Sequence, residues 1–298
     1  MAKSISKPFA YIILIINMAL WGGALVVSRG VYEDIPPLAL TFFRWCSALI
    51  LLFPFVANNL LRIQSYFKYW RSIILVSILI VFGNTMSVIA VNYTTAINAS
   101  LINGSQPIFV ALIAFFFIKD AVSAKKILGI LSALFGVMVM ISHGDKSFLN
   151  LFNLNPGDLI MLLAVLAWAA YSVALQKSNS LPSNSILLFF ISLLGCLLTL
   201  PFYLLEYFFY GPFSLSNKTI GSILYLGVIA TTVCIFIWNV CIKSIGAVSA
   251  GIFLNLIPFF GVLFAIIILD EELLPYHFIG SFFIFTGIFL GIHKIEKD

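Results

Sequence analysis

Two stretches decide the fold of this chain: residues 96–118, AINASLINGSQPIFVALIAFFFI, and residues 247–269, AVSAGIFLNLIPFFGVLFAIIIL. Neither stretch contains a charged side chain, and each carries a single proline at the same position, Pro107 in the first and Pro258 in the second. A helix needs about 20 apolar residues to cross the hydrocarbon core of a bilayer. Each stretch therefore predicts a transmembrane helix, and their likeness predicts an internal repeat.

The whole sequence of 298 residues has the same apolar character as these two stretches. It is 62% hydrophobic and 9% charged, whereas soluble domains average roughly 45–50% apolar and roughly 25% charged residues. This composition excludes an ordinary soluble globule and predicts an all-α integral membrane protein with ten transmembrane helices. The predicted spans are residues 9–28, 36–57, 72–92, 96–118, 127–143, 157–176, 184–205, 219–240, 247–269 and 274–293.

The charges between the spans predict the orientation in the membrane. An even number of spans puts both termini on one side, and among the basic residues outside the spans only Arg29, Lys146 and Lys218 lie on the other side. Basic residues favour the cytoplasmic side, so we expect both termini to be cytoplasmic. Lys3 and Lys7 precede a first apolar run that lacks a clear cleavage site, which predicts an uncleaved span. The cations are scattered and form no basic face for nucleic acid.

The likeness between the two opening stretches extends along the chain. A shift of 151 residues, from 96 to 247, aligns further small residues and both prolines. The aligned pairs are Ala96 with Ala247, Ala99 with Ala250, Pro107 with Pro258, Ala114 with Ala265, Asp120 with Glu271, Gly129 with Gly280 and Gly136 with Gly287. Each half, residues 1–147 and 148–298, then holds five spans. An odd number of spans inserts the second copy upside down, as in many secondary transporters that bind substrate near the midplane.

Several short motifs carry a family likeness. They are Leu20-Trp21-Gly22-Gly23, Pro36-Pro37-Leu38 followed by Arg44, Asn92-Tyr93-Thr94-Thr95-Ala96, Pro107, Ala167-Trp168, Lys243-Ser244-Ile245-Gly246-Ala247 and Pro258. In combination they resemble the drug/metabolite transporter superfamily of the EamA type, as two EamA-like repeats that cover nearly the whole chain. The resemblance implies a ten-helix inverted-repeat carrier of bacterial inner membranes, often exporting amino acids or related metabolites. It also implies a central cavity lined mainly by spans 1, 3, 4, 6, 8 and 9, and it leaves the substrate open.

Polar and large aromatic side chains at mid-depth in the spans are the candidates for a substrate site, because a polar group in hydrocarbon must be paired or face a cavity. The predicted substrate-binding residues are Trp21, Asn84, Asn103, Gln106, Trp168, Tyr171 and Asn255. Trp21 and Trp168 lie at corresponding places in the two halves, which suits an aromatic wall for substrate or packing between the repeats. The amides could equally join neighbouring helices by hydrogen bonds.

Two prolines and one arginine complete the set of candidate residues. Pro107 and Pro258 are the predicted hinges, since proline frees a backbone carbonyl and weakens a helix; a kink made only for packing is the alternative. Arg44 is the one basic residue well inside a span and a possible charge site. It could attract a substrate carboxylate, but the resemblance gives the second span no central cavity role. A structural role, with the side chain snorkelling or binding carbonyls, is the favoured interpretation.

Several chemistries are not supported by the sequence. No Asp or Glu lies deep in a span, Asp158 and Glu206 at predicted outer ends being the nearest. A proton-coupled exporter of cationic drugs would use such a carboxylate, so neutral or zwitterionic substrates are favoured. There is no P-loop and no HExxH motif, and the four cysteines lack metal-site spacing. We therefore expect no enzyme, with neither catalytic residues nor a cofactor nor a metal site.

The sequence thus predicts a secondary transporter that exports small metabolites by alternating access, with neutral or aromatic amino acids as first candidates. Efflux of lipophilic drugs or other metabolites is one alternative, and a channel through the same bundle is another. The expected partners are a small-molecule substrate and the lipid bilayer, without nucleic acid. No oligomeric state is indicated.

Overall fold

The computed structural model describes residues 6–60, 63–118, 124–141, 155–178, 181–245, 250 and 252–292. In these ranges the chain is helical and contains no β-strand, so the predicted all-α fold class is confirmed at this level. Some sequence predictions lie outside the described residues, namely those on Lys3, Asp120, Lys146, Gly246, Ala247 and the boundary between residues 147 and 148.

Helices occupy the predicted apolar runs. The α-helices are α1 Lys7–Gly30, α2 Pro37–Leu60, α3 Trp70–Tyr93, α4 Ala96–Asn103, α5 Gln106–Ile118, α6 Ala124–Ile141, α7 Pro156–Lys177, α8 Asn184–Tyr210, α9 Asn217–Leu224, α10 Cys234–Ile245, α11 Leu256–Leu269 and α12 Pro275–Ile292. A π-helical stretch, Tyr225–Val233, joins α9 to α10, and 3-10 turns at Ile63–Tyr69 and Ile252–Asn255 lead into α3 and α11. The predicted loop between the second and third spans is thus partly helical.

Among the residues that the structure describes, seven helical segments are long and apolar enough to cross a bilayer, and one further apolar helix is shorter. The seven are Lys7–Gly30, Pro37–Asn58, Tyr66–Tyr93, Ala96–Ala114, Pro156–Lys177, Asn184–Tyr210 and Asn217–Ile242, and the shorter one is Phe253–Leu269. The protein is therefore a multi-pass membrane protein, whereas the count of ten spans stays a prediction.

Local sequence explains where several helices begin. Proline lies in the first turn of α1 and of α7, where its missing N–H costs no helical hydrogen bond. Asn155 caps α7 by accepting hydrogen bonds from the first amides of that helix, and Ser216 forms a capping box with Thr219 at the start of α9. These caps satisfy amides that have no partner within the helix.

The two predicted halves pack into one bundle. The largest helix contacts join α1 with α11, α2 with α8, α3 with α7 and α6 with α12, each pair combining one helix from each half. Small residues allow the closest approach in the middle of the bundle. A methyl group added at Gly22 of α1 would lie 2.8 Å from the backbone nitrogen of Gly261 of α11, and one added at Gly261 would collide with Ser100 of α4.

The two spans that carry Pro107 and Pro258 change their helical geometry next to these prolines. The helix that begins at Ala96 breaks at Gly104 and Ser105, and Pro107 is the second residue of the following helix, α5. Pro258 is the third residue of α11, directly after the 3-10 turn. The interruptions also contact each other, because a Cβ at Gly104 would lie 2.7 Å from Cγ of Pro258. The prolines thus stand in the first turn of new helices rather than inside continuous ones.

Candidate functional site

A cavity of about 600 Å³, its mouth included, lies among helices from both halves. Its lining residues are Trp21, Ala24, Leu25, Ser28, Arg44, Asn84, Ser87, Val88, Asn103, Gln106, Trp168, Trp238, Leu254 and Ile257. Small-molecule sites typically combine an apolar wall with a few polar groups, and the lining of this cavity does so.

Three indole rings form one wall of the cavity, and we call Trp21, Trp168 and Trp238 the tryptophan cluster. The ring centroid of Trp21 lies 5.7 Å from that of Trp168 and 5.7 Å from that of Trp238, with interplanar angles of 69° and 59°. Such tilted aromatic pairs contribute about 0.5–1.5 kcal/mol beyond their buried area. The cluster is therefore a rigid, largely apolar surface contributed by both halves.

The π-helical stretch fixes the position of Trp21. Nε1 of Trp21 donates a hydrogen bond of 2.9 Å to the carbonyl oxygen of Ala230, and the hydroxyl of Tyr225 donates one of 2.8 Å to the carbonyl oxygen of Leu20. A π-helix shifts the backbone hydrogen-bond pattern by one residue, and such stretches are frequent at functional sites. Here the stretch ties α1 to the cavity through both contacts.

Amide side chains form the polar part of the lining. Asn84 is buried in α3, and its Nδ2 donates to the carbonyl oxygen of Ile80 at 2.9 Å, so its side-chain oxygen stays available as an acceptor. Asn103 ends α4 and the buried Gln106 begins α5, so both lie at the break between these helices. The break therefore places two amides at the cavity.

The remaining predicted substrate residues lie beside the cavity rather than in its lining. Tyr171 is fully buried, its ring centroid lies 5.6 Å from that of Trp168, and its hydroxyl donates to Oδ1 of Asn239 at 3.4 Å. Asn255 ends the 3-10 turn before α11, and its Oδ1 is buried without a hydrogen-bond partner among the described residues. The predicted hinges Pro107 and Pro258 also lie outside the lining.

Arg44 lines the cavity from α2, which the resemblance did not imply. Its side chain is 5% exposed, and its Nε donates a 2.5 Å hydrogen bond to Oγ1 of Thr231 in the π-helical stretch. The hydroxyl of Thr231 donates in turn to the carbonyl oxygen of Leu226 at 2.7 Å. The π-helical stretch therefore positions the arginine as well as Trp21.

Sequence reasoning missed several residues of this site, among them Trp238 in the lining and Thr231, which holds Arg44. The predicted span 219–240 put Trp238 close to a helix end, but the helix continues to Ile245 and brings the indole beside Trp21. No sequence signal marked the π-helical stretch, so the approach of Thr231 to Arg44 could not be foreseen.

Glu206, Glu271 and Asp158 lie outside the cavity lining, and their carboxylates hold helix ends together. The carboxylate of Glu206 accepts hydrogen bonds from two amides at the start of α2, and that of Glu271 accepts from two amides at the start of α4. Asp158 accepts from the hydroxyl of Thr94 and, at 3.1 Å, from Nδ2 of Asn98. Within the described part of the chain, no three His, Cys, Asp or Glu side chains are grouped as a metal site.

A multi-pass helical bundle around an amphipathic cavity is typical of membrane transport proteins. The EamA-like transporter family matches residues 8–142 and 155–292, and the chain belongs to this family. The family membership implies a small-molecule substrate and a lipid bilayer environment, and it points away from enzymatic activity.

Similar proteins extend over nearly the whole chain. An uncharacterized transporter of Archaeoglobus fulgidus is 25% identical, with 95% of this chain and 97% of the relative covered. The uncharacterized transporter YetK of Bacillus subtilis is 26% identical, with 97% and 88% covered. A protein of Escherichia coli named probable amino-acid metabolite efflux pump is 23% identical, with 96% and 95% covered. One solved crystal structure shares the fold at a TM-score of 0.65 and 16% identity, over 96% of this chain and 98% of its own.

Proposed function

We propose that the protein is a secondary carrier that exports small metabolites by alternating access, with neutral or aromatic amino acids as the substrates to test first. The observation that carries this proposal is the cavity, whose wall joins the tryptophan cluster, amide side chains and one cation between the two halves. The relative named probable amino-acid metabolite efflux pump supports the choice of amino acids. Lipophilic drugs and other metabolites form the second substrate class to test.

The carrier is built, in this proposal, from ten spans in two inverted repeats, residues 1–147 and 148–298. Reciprocal packing supports it. If the second half repeats the first upside down, α1 corresponds to α7, and α11 corresponds to α4 and α5 together; α1 packs on α11, and α7 packs on both α4 and α5. The corresponding helices α2 and α8 also pack on each other, as do α6 and α12.

The interrupted spans support alternating access. Gly104, at the break between α4 and α5, packs closely against Pro258 in the first turn of α11, so we expect a movement at one to displace the other. Both polar atoms of the Asn17 side chain, and Oδ1 of Asn255, are buried without a partner among the described residues. Each such group costs about 1–3 kcal/mol. A second conformation that turns these amides towards a water-filled path would relieve this cost, and Pro107 and Pro258 would serve as its hinges.

The proposed location is a bacterial-type inner membrane with both termini in the cytoplasm. A reporter inserted in the turn Ile63–Tyr69 is then expected to be active on the cytoplasmic side. Activity of the same fusion on the outer side would reverse the orientation.

The test of the carrier is counterflow in proteoliposomes. Vesicles preloaded with an unlabelled neutral or aromatic amino acid are mixed with the same labelled compound, and a carrier gives saturable, transient accumulation. Trp168→Ala should lower this exchange at least about 10-fold if the tryptophan cluster contacts substrate, by the scale of interface tryptophan truncations. Trp70→Ala is the matched control, because Trp70 is 51% exposed at the start of α3. Conductance without saturation would favour a channel, and exchange of drugs alone would favour the second substrate class.

A further inference from the structure

The strongest unassigned feature of the cavity is the charge of Arg44. Among the described residues of the cavity lining, Arg44 is the one that is charged, and only 5% of its surface is exposed. Its neighbours in the wall are neutral amides, hydroxyls and indoles. The cavity therefore carries one permanent positive charge.

No protein carboxylate compensates this charge in the described part of the chain. The ion pair found there joins Lys218 to Asp34, and Glu206, Glu271 and Asp158 are engaged at helix ends. A guanidinium buried in a membrane protein without a counter-charge is costly, and such groups usually pair or face a water-filled path. A bound anion would remove that cost.

The hydrogen bonds of Arg44 leave a carboxylate-binding edge open. Nε of Arg44 donates to Thr231, and the two Nη groups of Arg44 donate no hydrogen bond to the described residues. Neither Nη nitrogen is among the fully buried polar atoms that lack a hydrogen-bond partner in the described residues. Both nitrogens are therefore accessible from open space. Two parallel N–H groups of a guanidinium match the two oxygens of a carboxylate.

We propose that Arg44 binds the carboxylate of the transported solute, so that the substrate is a carboxylate-bearing metabolite with an apolar or aromatic part against the tryptophan cluster. This assignment rests on the proposed carrier function and narrows its substrate class. The lining residues that the structure describes include no acidic side chain to pair with an ammonium group. A carboxylate is therefore required of the solute, and an amine is not.

The experiment measures binding to the purified protein by quenching of tryptophan fluorescence, with three probes. Phenylalanine carries both charged groups, phenylpropionate carries only the carboxylate, and phenethylamine carries only the amine. Phenylalanine and phenylpropionate should bind, with phenethylamine at least about 30-fold weaker, on the scale of losing one partner of a buried charge pair. Arg44→Gln should weaken the binding of both carboxylates by about the same factor and leave the binding of phenethylamine unchanged.

Two further variants separate binding from folding. Arg44→Lys keeps the charge but not the planar fork, so it should recover part of the lost affinity. Arg29→Gln is the matched control, because Arg29 lies outside the cavity lining and donates to the carbonyl oxygen of Val91 at 2.8 Å. It should leave the affinity for all three probes unchanged.

The outcomes distinguish this assignment from the carrier function when counterflow is measured alongside. Arg44-dependent binding of carboxylates without exchange would keep the assignment and refute the carrier. Exchange that is undiminished in Arg44→Gln would keep the carrier and overturn the assignment. Equal binding of phenethylamine, or no binding of either carboxylate, would also overturn it.

Discussion

Glu271 caps the start of α4, and substitution of this one side chain tests the fold. Its Oε1 and Oε2 accept hydrogen bonds of 2.8 and 2.9 Å from the backbone N–H groups of Ala96 and Ile97, the first two residues of α4. These amides have no partner within the helix, and the third, of Asn98, is taken by the side chain of Thr95. Glu271 lies between α11 and α12, so its carboxylate ties the ninth predicted span to the fourth.

The magnitude follows from the burial of the two amides. Hydrogen bonds to charged groups contribute about 1.5–3 kcal/mol each, and Ala96 and Ile97 are both 0% exposed, so water cannot replace the lost carboxylate. Because the carboxylate itself is partly exposed, we take the lower end, about 3 kcal/mol for Glu271→Ala. Glu271→Gln keeps one acceptor without the charge and should cost about half as much. At roughly 2 °C per kcal/mol for a long chain, the alanine variant should unfold about 6 °C lower.

The assay is thermal unfolding of the purified protein in detergent, followed by tryptophan fluorescence. Glu272→Ala is the matched control, because it removes the same charge from a neighbouring carboxylate that is exposed. It should shift the midpoint by less than about 1 °C, on the scale of surface substitutions. Equal shifts for the two alanine variants would refute the reasoning, since the effect would then come from loop charge alone.

Two further predictions concern contacts between spans. Gly104→Ala should lower the unfolding midpoint and the exchange rate together, because its Cβ would lie 2.7 Å from Cγ of Pro258. Gly221→Ala is the control and should lower neither, because an added Cβ there has no atom within 4 Å. An unaffected Gly104 variant would contradict the contact. Sγ of Cys46 lies 3.6 Å from Sγ of Cys196, so oxidation with copper phenanthroline should form a disulfide between α2 and α8. If the chain is then cleaved between these two cysteines, the disulfide should hold the two fragments together until a reductant is added. Fragments that separate without reductant would show that these helices do not pack this way.

Hydropathy predicted the helices because a bilayer imposes a minimum apolar length, and its errors have identifiable causes. The seventh predicted span, 184–205, begins where α8 begins but stops at the charge of Glu206. The helix continues to Tyr210 because that carboxylate is buried and accepts hydrogen bonds from the start of α2. The charged residue Glu206 therefore marks a tertiary contact and not the end of the helix.

The candidate site was only partly predictable, because depth along a span can be counted from the sequence but partners cannot. Counting placed Trp21 and Trp168 at similar depths, and they meet in the bundle at 5.7 Å. The π-helical stretch has no sequence signature, and through it Thr231 reaches Arg44 across 187 positions of the chain. The resemblance to the family likewise gave the second span no part in the cavity. A family resemblance rests on positions that the members share and does not include the side-chain contacts of one member.

The measurement that tests the central claim most directly is the accessibility of a single cysteine at Ser87, a residue of the cavity lining. Ser87→Cys is placed in a chain whose own cysteines are replaced, and a membrane-impermeant maleimide is applied to right-side-out and to inside-out vesicles. Alternating access predicts that the cysteine reacts from both sides and that a transported solute slows both reactions. Reaction from one side only, with or without solute, would contradict a carrier whose cavity opens to each side in turn.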